Sequence, residues 1–332
     1  MKIVKKIFKW IGGIIGSLLI LLLVAIIVIS NMKGVIYKSF LNDSLIDVSI
    51  PGLNLKYCPQ GLAYSSEQNS YFFTGYMTDK TSSKLFVVNK DDEHSQIMLN
   101  LKNSDESDYL GHVGGVAVSD NHLYLTDDKG IYHVSIDEVM TKNNGDDLQL
   151  NTFLEIDVKP SFVFANENYL VVGEFYRSKN YKTDASHTFK VSEKETHHAL
   201  AVVFERDESL PLGIKELPIK VLSICDEVQG LAITSSNRIV LSCSYAIASS
   251  RLHIYKSIDE VQPDTYFEYK ELPIPVFYLN KERLEKKYSF MPMSEDLDFK
   301  DGKLYINFES ACKKYKMFNI FRTKNVYTMN LD

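Results

Sequence analysis

Two stretches of this chain are near copies of each other. Pro59–Tyr76 reads PQGLAYSSEQNSYFFTGY and Val228–Tyr245 reads VQGLAITSSNRIVLSCSY, with six identities in eighteen positions. Each is followed by a second echo, SSKL at Ser82–Leu85 and SSRL at Ser249–Leu252. An apolar run, a polar turn and a second apolar run spell a β-hairpin. A chain that repeats one hairpin with its flanks at long range is built from copies of a single unit.

Three further segments follow the same order. They are His112–Ser135 (HVGGVAVSDNHLYLTDDKGIYHVS), Pro160–Tyr176 (PSFVFANENYLVVGEFY) and Ser294–Ala311 (SEDLDFKDGKLYINFESA). The third strands of the last two come later, at His198–Glu205 and Val326–Leu331. Turns such as SDNH, NEN and KDG supply the Asn, Asp and Gly that tight hairpins need. Fourth strands are expected at His94–Leu101, Leu148–Ile156, Ile219–Ile224 and Tyr266–Leu272. The fifth unit takes its outer strand from LIDVSI, Leu45–Ile50, which has no local partner. Five four-stranded units closed by an N-terminal strand predict an all-β, five-bladed β-propeller, a ring that leaves only short protected edges. The long gaps at Ser178–Thr196 and around Asn280–Tyr288 read as a loop insertion and as a loop with a short helix. A blade hidden in either would make six, the alternative count. A sandwich of unrelated hairpins would not repeat the QGLA start.

Ahead of the repeat, Lys2, Lys5, Lys6 and Lys9 precede Ile11–Ser30, a run of twenty residues without a charge. As a helix it would be about 30 Å long, the thickness of a bilayer's hydrocarbon core. It exceeds the apolar region of a cleavable signal, and VIS at Val28–Ser30 is a poor cleavage site. The expected organisation is a basic cytoplasmic segment (1–10), a transmembrane signal-anchor (11–30), a linker (31–44) and an extracytoplasmic propeller (45–332). The lysine cluster sets that orientation at the cell membrane.

The chain carries a net charge of −6, and its first 38 residues hold six lysines and no acid, which leaves −12 on the rest. So acidic a body repels phosphate backbones, which excludes a nucleic-acid partner. Four cysteines, Cys58, Cys225, Cys243 and Cys312, allow two bridges in three connectivities or four buried thiols, and no CxxC is present.

In a propeller, loops entering first strands and loops leaving second strands open on one face. The expected ligand-binding groups there are Gln60, Gln229, Ser244, Tyr76 and Tyr245, whose aromatic rings suit stacking on sugars or apolar groups. Glu174, Glu295, Glu309 and Asp127 end or begin strands on that face and are candidate ligands for a hard cation, Ca²⁺ or Mg²⁺. His112, in GHVGG, is the candidate general base, with glycines that let backbone approach closely. No G-x-S-x-G, H-E-x-x-H, Walker or G-x-G-x-x-G motif occurs.

With its hairpin repeats and acidic strand ends, the chain resembles the calcium-dependent propellers that include gluconolactonase, paraoxonase-like and strictosidine-synthase-like proteins. The resemblance implies an axial cation held by acids, here Glu295, Glu309, Glu174 and Asp127, and a lactonase-type activity. Those propellers have six blades and use asparagines that the matching strand starts here lack. Three functions follow from the reading. The first is a membrane-anchored module recognising a small molecule, glycan, peptide or envelope component. The second is a cation-dependent hydrolase of lactone, ester or phosphate type, and the third is a non-catalytic scaffold.

Overall fold

The computed structural model describes residues 2–331, with side chains from Trp10 onward. Each repeat folds as one blade, its strands antiparallel and ordered from the axis outward. Blade one comprises Tyr57–Ser65, Ser70–Met77, Lys84–Asn89 and Gln96–Asn103, and blade two Val116–Ser119, His122–Asp127, Gly130–Ser135 and Thr152–Glu155. Blade three comprises Pro160–Ala165, Tyr169–Glu174, Ala199–Arg206 and Ile214–Ile224. Blade four comprises Val228–Ile233, Ile239–Cys243, Ser250–Tyr255 and Leu284–Phe290. Blade five comprises Ser294–Lys300, Lys303–Phe308 and Asn325–Asn330, and Ser44–Ser49 completes it from the N-terminal side, with Ser44 opposite Met329. Successive inner strands touch around the ring, and the last touches the first. The propeller is therefore five-bladed and closed as the repeat requires.

Three details correct the sequence reading. Leu148–Ile156 is not one strand. Asp147–Leu150 runs parallel to the outer strand of blade one, and only Thr152–Glu155 joins blade two. Tyr266–Leu272 is not the fourth strand of blade four. It spans a hairpin, Thr265–Tyr269 with Leu272–Tyr278, that extends blade three. Its two-residue turn is Lys270–Glu271, both at positive φ (47° and 66°). That geometry is the tight type that Asn-Gly normally announces, so its usual signal is missing. The real fourth strand of blade four, Leu284–Phe290, lies in the gap read as a loop. Its charged residues Glu285, Lys286 and Lys287 disguise it, because an outer strand shows much of its surface to water.

The echo itself has a steric cause. Gly61 and Gly230 occupy equivalent points of two inner strands. A Cβ on Gly61 would lie 2.6 Å from the Val116 nitrogen and 2.8 Å from the Gly115 carbonyl carbon. One on Gly230 would lie 2.6 Å from the Leu297 nitrogen and 2.8 Å from the Asp296 Cα. Neighbouring inner strands approach backbone to backbone at both places, and only glycine allows it. Beside these points, the inner strands of blades one, three, four and five each carry a register shift, between Pro59 and Leu62, Pro160 and Phe162, Val228 and Gly230, and Ser294 and Leu297. The bulges re-aim Gln60, Ser161, Gln229 and Glu295 at the end of the blade.

The helix Lys2–Asn31 contains an apolar stretch, Trp10–Asn31, that packs against nothing in the propeller. Two short helices, Lys33–Ile36 and Lys38–Asp43, follow it. Tyr37 and Phe40 are buried there, Phe40 stacked on Phe290 at 4.7 Å.

Candidate functional site

The face that carries the loops into first strands and out of second strands, here called the upper face, gathers the polar groups. Its axis is acidic. Asp296, fully buried, accepts backbone N–H groups of Leu62 (3.3 Å), Val116 (3.2 Å) and Leu297 (3.0 Å), which belong to blades one, two and five. Asp298 takes the amides of Tyr64 (2.7 Å) and Phe299 (2.8 Å) in the same manner, and burial pushes its carboxyl up to about 6. Burial pushes the Asp296 carboxyl well above its usual range too, so the axis holds two buried acids that accept backbone amides.

Next to Asp296, Glu295 and Glu309 share a hydrogen bond. Burial pushes both above the usual carboxyl range, Glu295 the further because the Glu309 charge faces it. Two carboxyls so placed oppose each other's ionisation and titrate as a pair. Gln60 Nε2 donates to Glu309 Oε2 at 3.0 Å, and the Cys58 sulfur lies 3.2 Å from the same oxygen. Cys58 and Cys312 stand 3.3 Å apart, sulfur to sulfur.

His112 lies in the loop ahead of its inner strand, its ring stacked on Tyr76 at 4.5 Å. Enclosure by the surrounding protein, and then the Lys314 ammonium, push its pKa down to about 4. The residue is nonetheless exposed, and water screens much of this effect; the direction is toward a neutral imidazole. The next residue, Val113, is held at φ 49°, a strained conformation for a β-branched residue. Lys314 donates to the Tyr76 hydroxyl at 2.6 Å.

The remaining expected residues are distributed differently. Tyr245 takes the Arg177 guanidinium over its ring at 3.6 Å and faces Phe175. Gln229 is half-buried at the equivalent of Gln60. Ser244 is buried in a chain of hydroxyls, receiving a hydrogen bond from Ser250, whose oxygen also accepts the Ser294 amide. It stitches blade four to blade five. Asp127 is tied to the Tyr109 hydroxyl in blade two. Glu174 is fully buried, and accepts from the amides of Lys159 (3.1 Å) and Leu200 (3.3 Å) and from His187 Nδ1 (3.0 Å). Of the four expected cation ligands, then, only Glu295 and Glu309 meet.

His187 is a residue the sequence did not single out. It sits on a single helical turn, Ala185–His187, inside the insertion after the second strand of blade three. Its burial works against a charge, but the Glu174 carboxylate outweighs that and raises its pKa. The pair stands at the wall of a cleft of about 980 Å³ between blades two and three. Lys129, Lys159 and Lys182 line it together with Asp157, Asp184 and Glu268. Cavities of about 300–1,000 Å³ are the usual size for small-ligand sites.

Among the described residues, one group has the spacing of a metal centre: Cys225, Cys243 and His253. The sulfurs are 3.5 Å apart, and His253 Nδ1 lies 3.7 and 3.9 Å from them. Soft thiolate and imidazole donors suit a zinc-like ion rather than Ca²⁺ or Mg²⁺.

No family model and no curated protein matches this chain. Solved structures do. The PQQ-bound aldose sugar dehydrogenase of Streptomyces coelicolor matches with 11% identity and a TM-score of 0.46, over 87% of this chain and 98% of that one. A putative glucose dehydrogenase from Thermus thermophilus matches with 10% identity and a TM-score of 0.42, over 86% and 99%. A gluconolactonase from Xanthomonas campestris matches with 10% identity and a TM-score of 0.39, over 84% and 88%. At these identities and scores the likenesses say nothing of chemistry. The five-bladed propeller stands on the strand pairing.

Proposed function

We propose that this protein is a membrane-anchored, extracytoplasmic propeller that binds a ligand on its upper face. The observation that carries this reading is the cleft of about 980 Å³, walled by the Glu174–His187 pair and lined by both cations and anions. Such a lining suits a ligand that itself carries amino, carboxyl or hydroxyl groups, as peptides, glycans and envelope components do. The aromatic pairs Tyr76–His112, Tyr176–His198 and Phe175–Tyr245 lie on the same face and offer stacking surfaces around it. The apolar stretch Trp10–Asn31 supports the anchor, and the flanking lysines support an outward-facing body. The reading is tested by titrating the detergent-solubilised protein with purified envelope glycans and peptides, using calorimetry. Binding should weaken at least tenfold in His187→Ala and in Lys182→Ala. A ligand whose affinity neither change alters would place recognition elsewhere.

A second reading, hydrolysis, is favoured by one feature, the hydrogen-bonded pair Glu295 and Glu309 beside Gln60. In it Glu309 takes a proton from the water that attacks the carbonyl carbon, and Glu295 gives one to the alcohol oxygen that leaves as the C–O bond breaks. Glu309→Gln would abolish hydrolysis of a lactone or ester without weakening ligand binding in the cleft.

A further inference from the structure

The path of the chain into the propeller ties the end of the apolar helix to one face. Five residues, Met32 to Ile36, separate the apolar helix from Tyr37. Tyr37 is buried on the upper face. Its hydroxyl lies 3.0 Å from the Ser249 hydroxyl, and its ring meets Phe321 edge-on at 5.4 Å. Ser249 enters the third strand of blade four, and Phe321 lies in the loop that leaves the second strand of blade five. Both are upper-face positions. Even fully extended, the connection from Asn31 to Tyr37 spans about 20 Å. The upper rim between blades four and five is therefore held within that distance of wherever the helix ends.

That rim is chemically unlike the rest of the body. The loop Ser310–Lys324, SACKKYKMFNIFRTK, contains Lys313, Lys314, Lys316, Arg322 and Lys324 and no acid, on a body whose balance is −12. All five cations are exposed. Between them Met317 and Phe318 are 84% and 72% exposed, and Ile320 is 40% exposed. The loop is built rather than loose. Lys316 N–H donates to the Cys312 carbonyl, Arg322 donates to the Lys316 carbonyl at 3.1 Å, and the Thr323 amide donates to Ser310 at 3.0 Å. Large apolar side chains held out beside a ring of cations are the composition of a segment that enters an anionic bilayer surface.

We infer that Ser310–Lys324 docks onto the anionic headgroups of the membrane that holds the anchor, so that the upper face looks at the bilayer and not away from it. The docked rim belongs to blades four and five. The cleft between blades two and three opens on the far side of the same face. A ligand that enters the cleft therefore approaches from the side of the bilayer. This rests on the anchor proposed above.

The chain has one tryptophan, Trp10, which makes a fluorescence test direct. The full chain is reconstituted into phosphatidylglycerol-containing vesicles whose acyl chains are brominated near the headgroup. Three forms are compared: the unmodified chain, Trp10→Phe with Phe318→Trp, and Trp10→Phe with Leu210→Trp. Leu210 lies in the loop between the third and fourth strands of blade three, at the opposite face. Docking predicts that the introduced tryptophan at 318 loses at least half its emission, that the one at 210 is unaffected, and that Lys313→Gln with Lys316→Gln and Arg322→Gln restores the emission at 318. Quenching of Trp10 without quenching at 318 would overturn the docking while leaving the anchor intact. An N-terminal sequence beginning beyond Ser30, or an unquenched Trp10, would overturn the anchor itself. Equal quenching at 318 and 210 would overturn the orientation.

Discussion

Gln60 and Glu309, 249 positions apart, meet across the seam between the first and last blades, with the Gln60 amide donating to the carboxylate at 3.0 Å. The Asn307 amide reinforces the seam by donating to the Gln60 carbonyl at 2.8 Å. The ring thus closes twice, by the outer strand Ser44–Ser49 and by polar contacts beside the axis. The second closure is also where the acid pair stands, so stability and site chemistry are coupled there.

Asp296 should be the most sensitive single position for stability. It satisfies three buried amide N–H groups from three blades. Asp296→Ala leaves all three unpaired, at about 1–3 kcal/mol each, so a loss of roughly 3 kcal/mol or more is expected in chemical denaturation. Asp296→Asn keeps one acceptor oxygen and should cost less. Equal losses for the two would refute the acceptor role.

The paired carboxyls give stability a definite pH slope. Glu295 and Glu309 both titrate above the unfolded range, so the folded protein holds more protons than the unfolded chain above about pH 4. Their contribution is fully present below that pH and is lost as pH rises toward their folded values. Glu295→Gln mimics the protonated form and should flatten the fall of Tm as pH rises above about 4. Parallel wild-type and variant curves would show that no proton is held there.

His187 slopes the same way at higher pH. Its pKa is raised, through Glu174, above the ordinary value of 6.5. The ion pair therefore stabilises the fold fully below about pH 6.5 and fades as pH rises through the folded value. Proton NMR of the imidazole should show titration above 6.5 in the wild type and a clear drop in Glu174→Gln, where burial is left to oppose the charge.

Adding one methyl group tests the steric origin of the repeat. Gly61→Ala and Gly230→Ala each drive a Cβ to within 2.6 Å of a backbone nitrogen in the next blade. Overpacking against backbone has no side chain to yield, so each should cost about 3 kcal/mol. Gly12→Ala in the apolar helix, where a Cβ meets nothing within 4 Å, is the neutral control.

Oxidation should select one of the three cysteine connectivities. Cys58 lies 3.3 Å from Cys312 and Cys225 lies 3.5 Å from Cys243. Treatment with diamide followed by non-reducing peptide mapping should give those two links alone. A Cys58–Cys225 or Cys58–Cys243 peptide would contradict the blade arrangement.

Much of this fold was legible in the sequence because a propeller blade is local. Hairpins such as Pro59–Tyr76 carry their own turn residues and alternate their own faces, and the unpaired LIDVSI announced the closing strand. The acids and amides of the upper face were legible for the same reason, since strand ends are positions in a pattern. The outer strands were not, because Leu284–Phe290 and the Lys270–Glu271 turn lack the apolar runs and glycines that mark inner ones. Nor was the division of labour among the acids. Sequence placed Glu174, Asp127, Glu295 and Glu309 on one face. Tertiary packing gave Asp127 to Tyr109 and Glu174 to His187, and left Glu295 and Glu309 paired with each other. Which partner a buried charge finds depends on side chains tens to hundreds of residues away, and no local pattern records that. The same holds for orientation. The sequence shows an apolar helix and a basic loop, and only the burial of Tyr37 between Ser249 and Phe321 puts them on one side of the propeller.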